Sequence, residues 1–134
     1  MKKYSKYLPP AVIILIFYFI ANRYSSNSRD DIMENRKIAT AMVINISMNA
    51  KGYPCVEYEF NYNLDKYTGS SCYSGLSYQK CRKELVGISV PLVFSRRNPE
   101  NNNILLDAYD YKHYDLEMPD TAKVLFRKIE SWLK

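Results

Sequence analysis

His113 is the one histidine in this chain of 134 residues, and it sits in the run Tyr109-Asp110-Tyr111-Lys112-His113-Tyr114-Asp115. An imidazole with carboxylates on either side has the makings of a general base, oriented by Asp110 or Asp115. The remaining parts of a hydrolytic site are missing from the sequence, which holds no Gly-x-Ser-x-Gly turn, paired-carboxylate motif or cofactor motif. His113 therefore reads as a solvated loop residue following the last strand. Glu57 and Glu59 share a strand face and suggest an acid/base pair, but their alternation with Val56, Tyr58 and Phe60 makes them the solvent side of that strand.

Cys55, Cys72 and Cys81 lack the C-x-x-C spacing of structural zinc sites, and a lone distant histidine would have to complete the ligand set, so neither metal nor cofactor is expected. If the domain lies outside the cytoplasm, a disulfide between Cys72 and Cys81 would close a short loop and pin a weak polar segment, leaving Cys55 as the odd thiol. The alternative is three reduced, half-buried residues. Lys80, Arg82 and Lys83, with the pair Arg96-Arg97, form basic sets suited to lipid headgroups or simply to solvation.

These residues must be positioned by a chain whose first part differs sharply from the rest. Lys2, Lys3 and Lys6 precede the uncharged run LPPAVIILIFYFIA, Leu8 to Ala21. As a helix that run extends about 21 Å, short of a hydrocarbon core of about 30 Å. Adding Tyr4, Tyr7 and Tyr24 as interfacial anchors makes a single transmembrane helix over 8–24 feasible, with Pro9 and Pro10 in its first turn. A cleaved secretory signal is the competing reading, with Ser26-Asn27-Ser28 as its small-x-small triplet. The lysines ahead of the span place the N-terminus in the cytoplasm and the domain outside it. Residues 1–7 form the basic tail, 25–35 a polar linker rich in Ser and Asn, and 36–134 the folded domain. Removing the three leading lysines leaves 16 basic against 14 acidic residues, too balanced for the phosphate-neutralising face of a nucleic-acid binder.

Within the domain the period is that of strands. Ile38, Thr40, Met42, Ile44, Ile46 and Met48 occupy one parity of a long first strand, and Val56, Tyr58, Phe60 and Tyr62 one face of a second. Tyr67 to Tyr73 gives a weaker third strand interrupted by Gly69, and 76–85 a short helix. Ile88, Val90, Leu92 and Phe94 mark a fourth strand, placed at a sheet edge by Pro91. Ile104 to Tyr109 gives a fifth strand. After Pro119-Asp120, Ala122, Leu125, Phe126, Ile129, Trp132 and Leu133 recur at helical spacing. The fold expected is α+β: an N-terminal transmembrane helix, then a small antiparallel curved sheet or half-barrel of about five strands with an amphipathic C-terminal helix.

The stretch Gly87 to Pro99, GISVPLVFSRRNP, following a Tyr-rich hairpin, resembles the segment G-x-x-x-x-V-x-Y-x-x-x-N-P of a bacterial domain-of-unknown-function family, small β-domains anchored by a membrane helix. The likeness covers roughly Lys37 to Leu106, with Phe94 in place of the usual tyrosine and with a C-terminal helix that has no counterpart. It implies a membrane-anchored β-domain and no activity. The function expected is a non-enzymatic interaction or accessory module of the cell envelope, tethered to the bilayer through 8–24 and meeting an envelope protein partner. The alternatives are a small secreted or periplasmic enzyme and a nucleic-acid-binding β-barrel whose tyrosines stack bases.

Overall fold

The computed structural model describes residues 9–132, without the side chains of 21–27. The basic tail 1–7, Leu8 and the last two residues lie outside the described residues. A long helix α1 (Pro10–Glu34) leads into strand β1 (Arg36–Met48), followed by β2 (Pro54–Tyr62) and β3 (Asp65–Cys72). Helix α2 (Tyr78–Glu84), strands β4 (Ser89–Ser95) and β5 (Asn102–Ile104), and helices α3 (Ala108–His113) and α4 (Asp120–Glu130) complete the chain. The strands form one antiparallel sheet in the order β3-β2-β1-β4-β5, curled into a half-barrel. The α+β architecture, five-stranded curved sheet and C-terminal helix agree with the periodicities.

β1 makes the curl possible because its two halves serve different neighbours. Arg36–Met42 pairs with β4 and Met42–Met48 with β2, so the strand passes from one side of the half-barrel to the other. A bulge falls between Val43, opposite Tyr58, and Asn45, opposite Glu57, leaving Ile44 as the extra residue. The bulge and the size of the interior reverse the expected parity of this strand. Ala41 and Val43 are buried, whereas Ile38 is 53 % exposed, Met42 42 % and Ile44 45 %. Small residues face inward because Tyr58, Phe60 and Phe94 already fill the interior, with Phe60 and Phe94 ring centroids 5.1 Å apart. Past the bulge the parity switches and Ile46 points inside.

The β2–β3 hairpin turns on Asn63 and Leu64, both with positive φ, the backbone of a tight two-residue connection. The sheet's two edge strands are then drawn together by side chains. The Tyr58 hydroxyl donates to Asn102 Oδ1 at 2.7 Å, Ser71 donates to Asn103, and Asn102 Nδ2 donates to the Thr68 carbonyl at 3.4 Å. Cys81 on α2 and Leu85 just beyond it, with Ile129 on α4 and Trp132 just beyond that helix, are buried in the same core as the strands' inward residues.

β4 is an inner strand, not the edge that Pro91 suggested. The Pro91 carbonyl accepts from Leu105 N at 2.8 Å, so its missing N–H faces the β5 side, where the ladder ends at the Leu92 and Ile104 pair. β5 spans three residues rather than continuing to Tyr109, because Asp107 and Asp110 form a capping box that starts α3.

Two expectations about the N-terminal part are corrected. Residues 25–34 continue α1 instead of forming a linker: Ile32 is 1 % exposed in a second apolar cluster with Val93, Leu105, Tyr111 and Tyr114 on the outer face of β4. The Arg29 side chain donates to the His113 carbonyl and that of Arg36 to the Tyr114 carbonyl, and Asn35 closes the helix on Asp31. The transmembrane helix over 8–24 is not found: among the described residues no helix is long and apolar enough to cross a membrane. The apolar run ends at Ala21 and the helix goes on through Asn22, Arg23 and a Ser/Asn-rich stretch.

Candidate functional site

The carboxylates near His113 do not serve it. Asp110 turns inward, where its Oδ2 accepts from the Tyr73 hydroxyl at 2.9 Å, from Leu106 N at 2.9 Å and more weakly from Asp107 N at 3.4 Å. Burial pushes this carboxyl up to about 6, against the hydrogen bonds from Leu106 and Tyr73, with the nearby Asp107 charge adding to the rise. Burial, and the adjacent Asp110 charge after it, raises the Tyr73 phenol as well. Together they tie the end of β3 to the start of α3. Asp115 is exposed, and no hydrogen bond among the described residues joins it or Asp110 to the imidazole. His113 is the last residue of α3 and not a loop residue; its ring stacks on Tyr109 at 5.8 Å and meets Tyr114 edge-on at 4.9 Å.

Cys72 is bonded to Cys55, not to Cys81. The two are direct partners in the β2–β3 ladder, with Cα atoms 3.9 Å apart, so the hairpin itself delivers the sulfurs to each other. Cys81 is a free thiol fully buried in the core, and burial raises its pKa. Its place on α2 puts it at the core end of the segment that a Cys72–Cys81 bond was expected to pin. Cys72 is exposed and Cys55 is buried, so the bridge sits at the rim of the half-barrel.

Glu57 bonds Asn45 and Glu59 pairs with Lys66 at 3.5 Å, both on the outer face of the sheet. Lys80, Arg82 and Lys83 point outward from α2, whose Glu84 is held below its usual range by the bond and charge of Lys128 on α4, 2.7 Å away. Arg96 and Arg97 are exposed in the β4–β5 turn. Among the described residues no three His, Cys, Asp or Glu side chains are placed to hold a metal ion.

Two surface features stand out instead. The first is the free end of α1, where Ile14 is 68 % exposed, Phe17 69 % and Phe19 67 %, with Ile13, Leu15, Ile16, Tyr18 and Ile20 also exposed. Apolar side chains bare on every face of a helix mark it as a segment made for an apolar medium or partner. The second is a groove between α1 and α3 lined by Arg29, Tyr109, Lys112 and His113. The sequence reading singled out His113 alone of these. Recognising Asp107-x-x-Asp110 as a capping box would have put 109, 112 and 113 on one helix face. Arg29 carried no signal, since nothing local in the chain reveals contact with a residue 84 positions away.

In comparisons with protein families, with curated proteins and with solved structures, no match is found.

Proposed function

We propose that this protein is a membrane-anchored β-domain of the cell envelope, a non-enzymatic interaction or accessory module held at the bilayer by the apolar end of α1. The observation that carries the reading is the exposed run Ile13–Ile20 on a helix that continues without a break into the packed domain. Leaving eight consecutive large apolar side chains in water is costly; burying each in lipid recovers about 1.5–3 kcal/mol. No described helix is long and apolar enough to cross a membrane, and the reading requires only that the exposed apolar end of α1 be buried in the bilayer.

The Cys55–Cys72 bridge supports a domain outside the cytoplasm, because disulfides persist in oxidising compartments and are rare in reducing ones. The half-barrel then works as a rigid platform, with Ile38, Met42 and Ile44 bare on its outer face for an envelope partner. Anchoring raises the effective concentration of such a partner at the same membrane. Fusion of reporters after residue 134 tests the placement. Alkaline phosphatase, which needs disulfides, should be active and β-galactosidase inactive; the reverse pattern would put the domain in the cytoplasm and refute the reading.

A further inference from the structure

We propose that the groove between α1 and α3, lined by Arg29, Tyr109, Lys112 and His113, binds the phosphate of an anionic phospholipid headgroup and seats the β-domain on the bilayer that α1 enters. This rests on the anchoring reading above and adds to it a second, headgroup-specific contact. Four observations carry it.

The first is position. Ile32 in the second core, with the bonds from Arg29 and Arg36 to the end of α3, fixes α3 against α1. Arg29 precedes Ile32 on α1, so the groove lies on the side of the domain nearest the apolar run. From Ile20 to Arg29 the helix rises about 14 Å. Helical side chains lean toward the N-terminus, which here is the lipid end, and long cationic stems reach back to headgroups.

The second is charge. The carbonyls at the end of α3 are already occupied, His113 by Arg29 Nε at 3.0 Å and Tyr114 by Arg36 at 2.8 Å. Arg29 and Lys112 both line the groove, and no carboxylate among the described residues pairs with either. The third is the aromatic pair. Tyr109 is 71 % exposed and stacked on His113, and an amphipathic ring of this kind suits a membrane interface. The fourth is continuity, since one helix joins the bare apolar surface to the cationic groove, apolar first and basic after, the order that a bilayer presents from core to headgroup.

His113 provides the reporter, being the one histidine in the chain. The full chain is placed in nanodiscs of phosphatidylcholine with rising phosphatidylserine, and the imidazole C–H resonances are followed at constant pH. A saturable shift with phosphatidylserine is expected. It should need about fivefold more anionic lipid in Lys112→Gln, the effect of one surface cation, and should weaken in Tyr109→Ser. Both residues are exposed, so neither change threatens the fold. A His113 signal that ignores phosphatidylserine while the chain stays in the disc, or an identical response in Lys112→Gln, overturns the groove assignment and leaves anchoring intact. A chain that elutes free of phosphatidylcholine discs overturns both. If inorganic phosphate alone, with phosphatidylcholine discs, saturates the same shift below millimolar concentration, the site takes a soluble anion and the lipid assignment fails.

Discussion

Tyr58 lies across Gly69, its direct partner in the β2–β3 ladder, and reaches over it to bond Asn102 on the opposite edge strand of the half-barrel. A methyl group at position 69 would collide with the Tyr58 ring and hydroxyl and with Asn102 Oδ1. Glycine is therefore required there for space, and the same absence of a side chain lets the curled sheet draw its edges together. Burial raises the Tyr58 phenol well above its ordinary value, so it stays a neutral donor.

Gly69→Ala should destabilise the domain by about 1–3 kcal/mol, the usual cost of overpacking a filled interior. Tyr58→Phe should cost about 1 kcal/mol for the lost hydrogen bond. The two should not add, because each disturbs the same contact. Urea unfolding of the singles and the double gives the coupling directly, and strict additivity would mean that Tyr58 does not rest on Gly69.

Much of this was legible in the sequence, and the misses have physical causes. Strict alternation in β2 and β4 placed Tyr58, Phe60, Val90 and Leu92 in the core, where they are. Ile44 was expected with them and is exposed, because a bulge and bulky aromatic neighbours gave the interior of β1 to Ala41 and Val43. Gly69 looked like an interruption of β3, whereas its strand continues through it. Ile32, one apolar residue in a polar stretch, gave no periodic signal, yet it anchors α1 to β4 from a distance in sequence that no local pattern spans. The shortness of the loop between Cys72 and Cys81 favours pairing those two, whereas the hairpin register makes Cys55 and Cys72 direct ladder partners and decides the bond. The candidate site was the least legible part, since two separate segments build it.

Mass mapping of unreduced protein should link the peptides that hold Cys55 and Cys72, with Cys81 alkylated only after unfolding. Cys55→Ser or Cys72→Ser should cost about 2–4 kcal/mol, as expected for a closed loop with a separation of 17 residues. A Cys72–Cys81 link in the map would show that the hairpin register is wrong.

Asp110 predicts a pH dependence of definite sign. Its carboxyl rises from an ordinary 3.8 to about 6, so the folded state holds a proton that the unfolded chain releases. The resulting stabilisation is complete below pH 3.8 and is lost as pH rises through about 6, amounting to about 3 kcal/mol in all. Asp110→Asn keeps an acceptor for Tyr73 and Leu106, so the melting temperature of the variant relative to the parent should climb between pH 4 and pH 6.5. A constant difference across that range would mean that Asp110 ionises normally.

Ile129 and Trp132 are 2 % and 7 % exposed in the main core, so α4 closes the half-barrel. Trp132→Ala should destabilise by about 3–5 kcal/mol, and Phe60→Ala by a similar amount. Deleting everything after Pro119 should lower the melting temperature of the chain in detergent. An unchanged melting curve after that deletion would free α4 for a lipid surface instead.

Alkaline carbonate extraction of membranes from cells making the full-length chain tests the central claim most directly. A helix buried in lipid resists the wash that strips peripheral proteins, so the intact chain should remain in the pellet, and replacing Ile14, Phe17 and Phe19 with serine should release it. Recovery of the unaltered chain in the supernatant, or of a soluble mature chain that starts near Arg29, would contradict anchoring by α1.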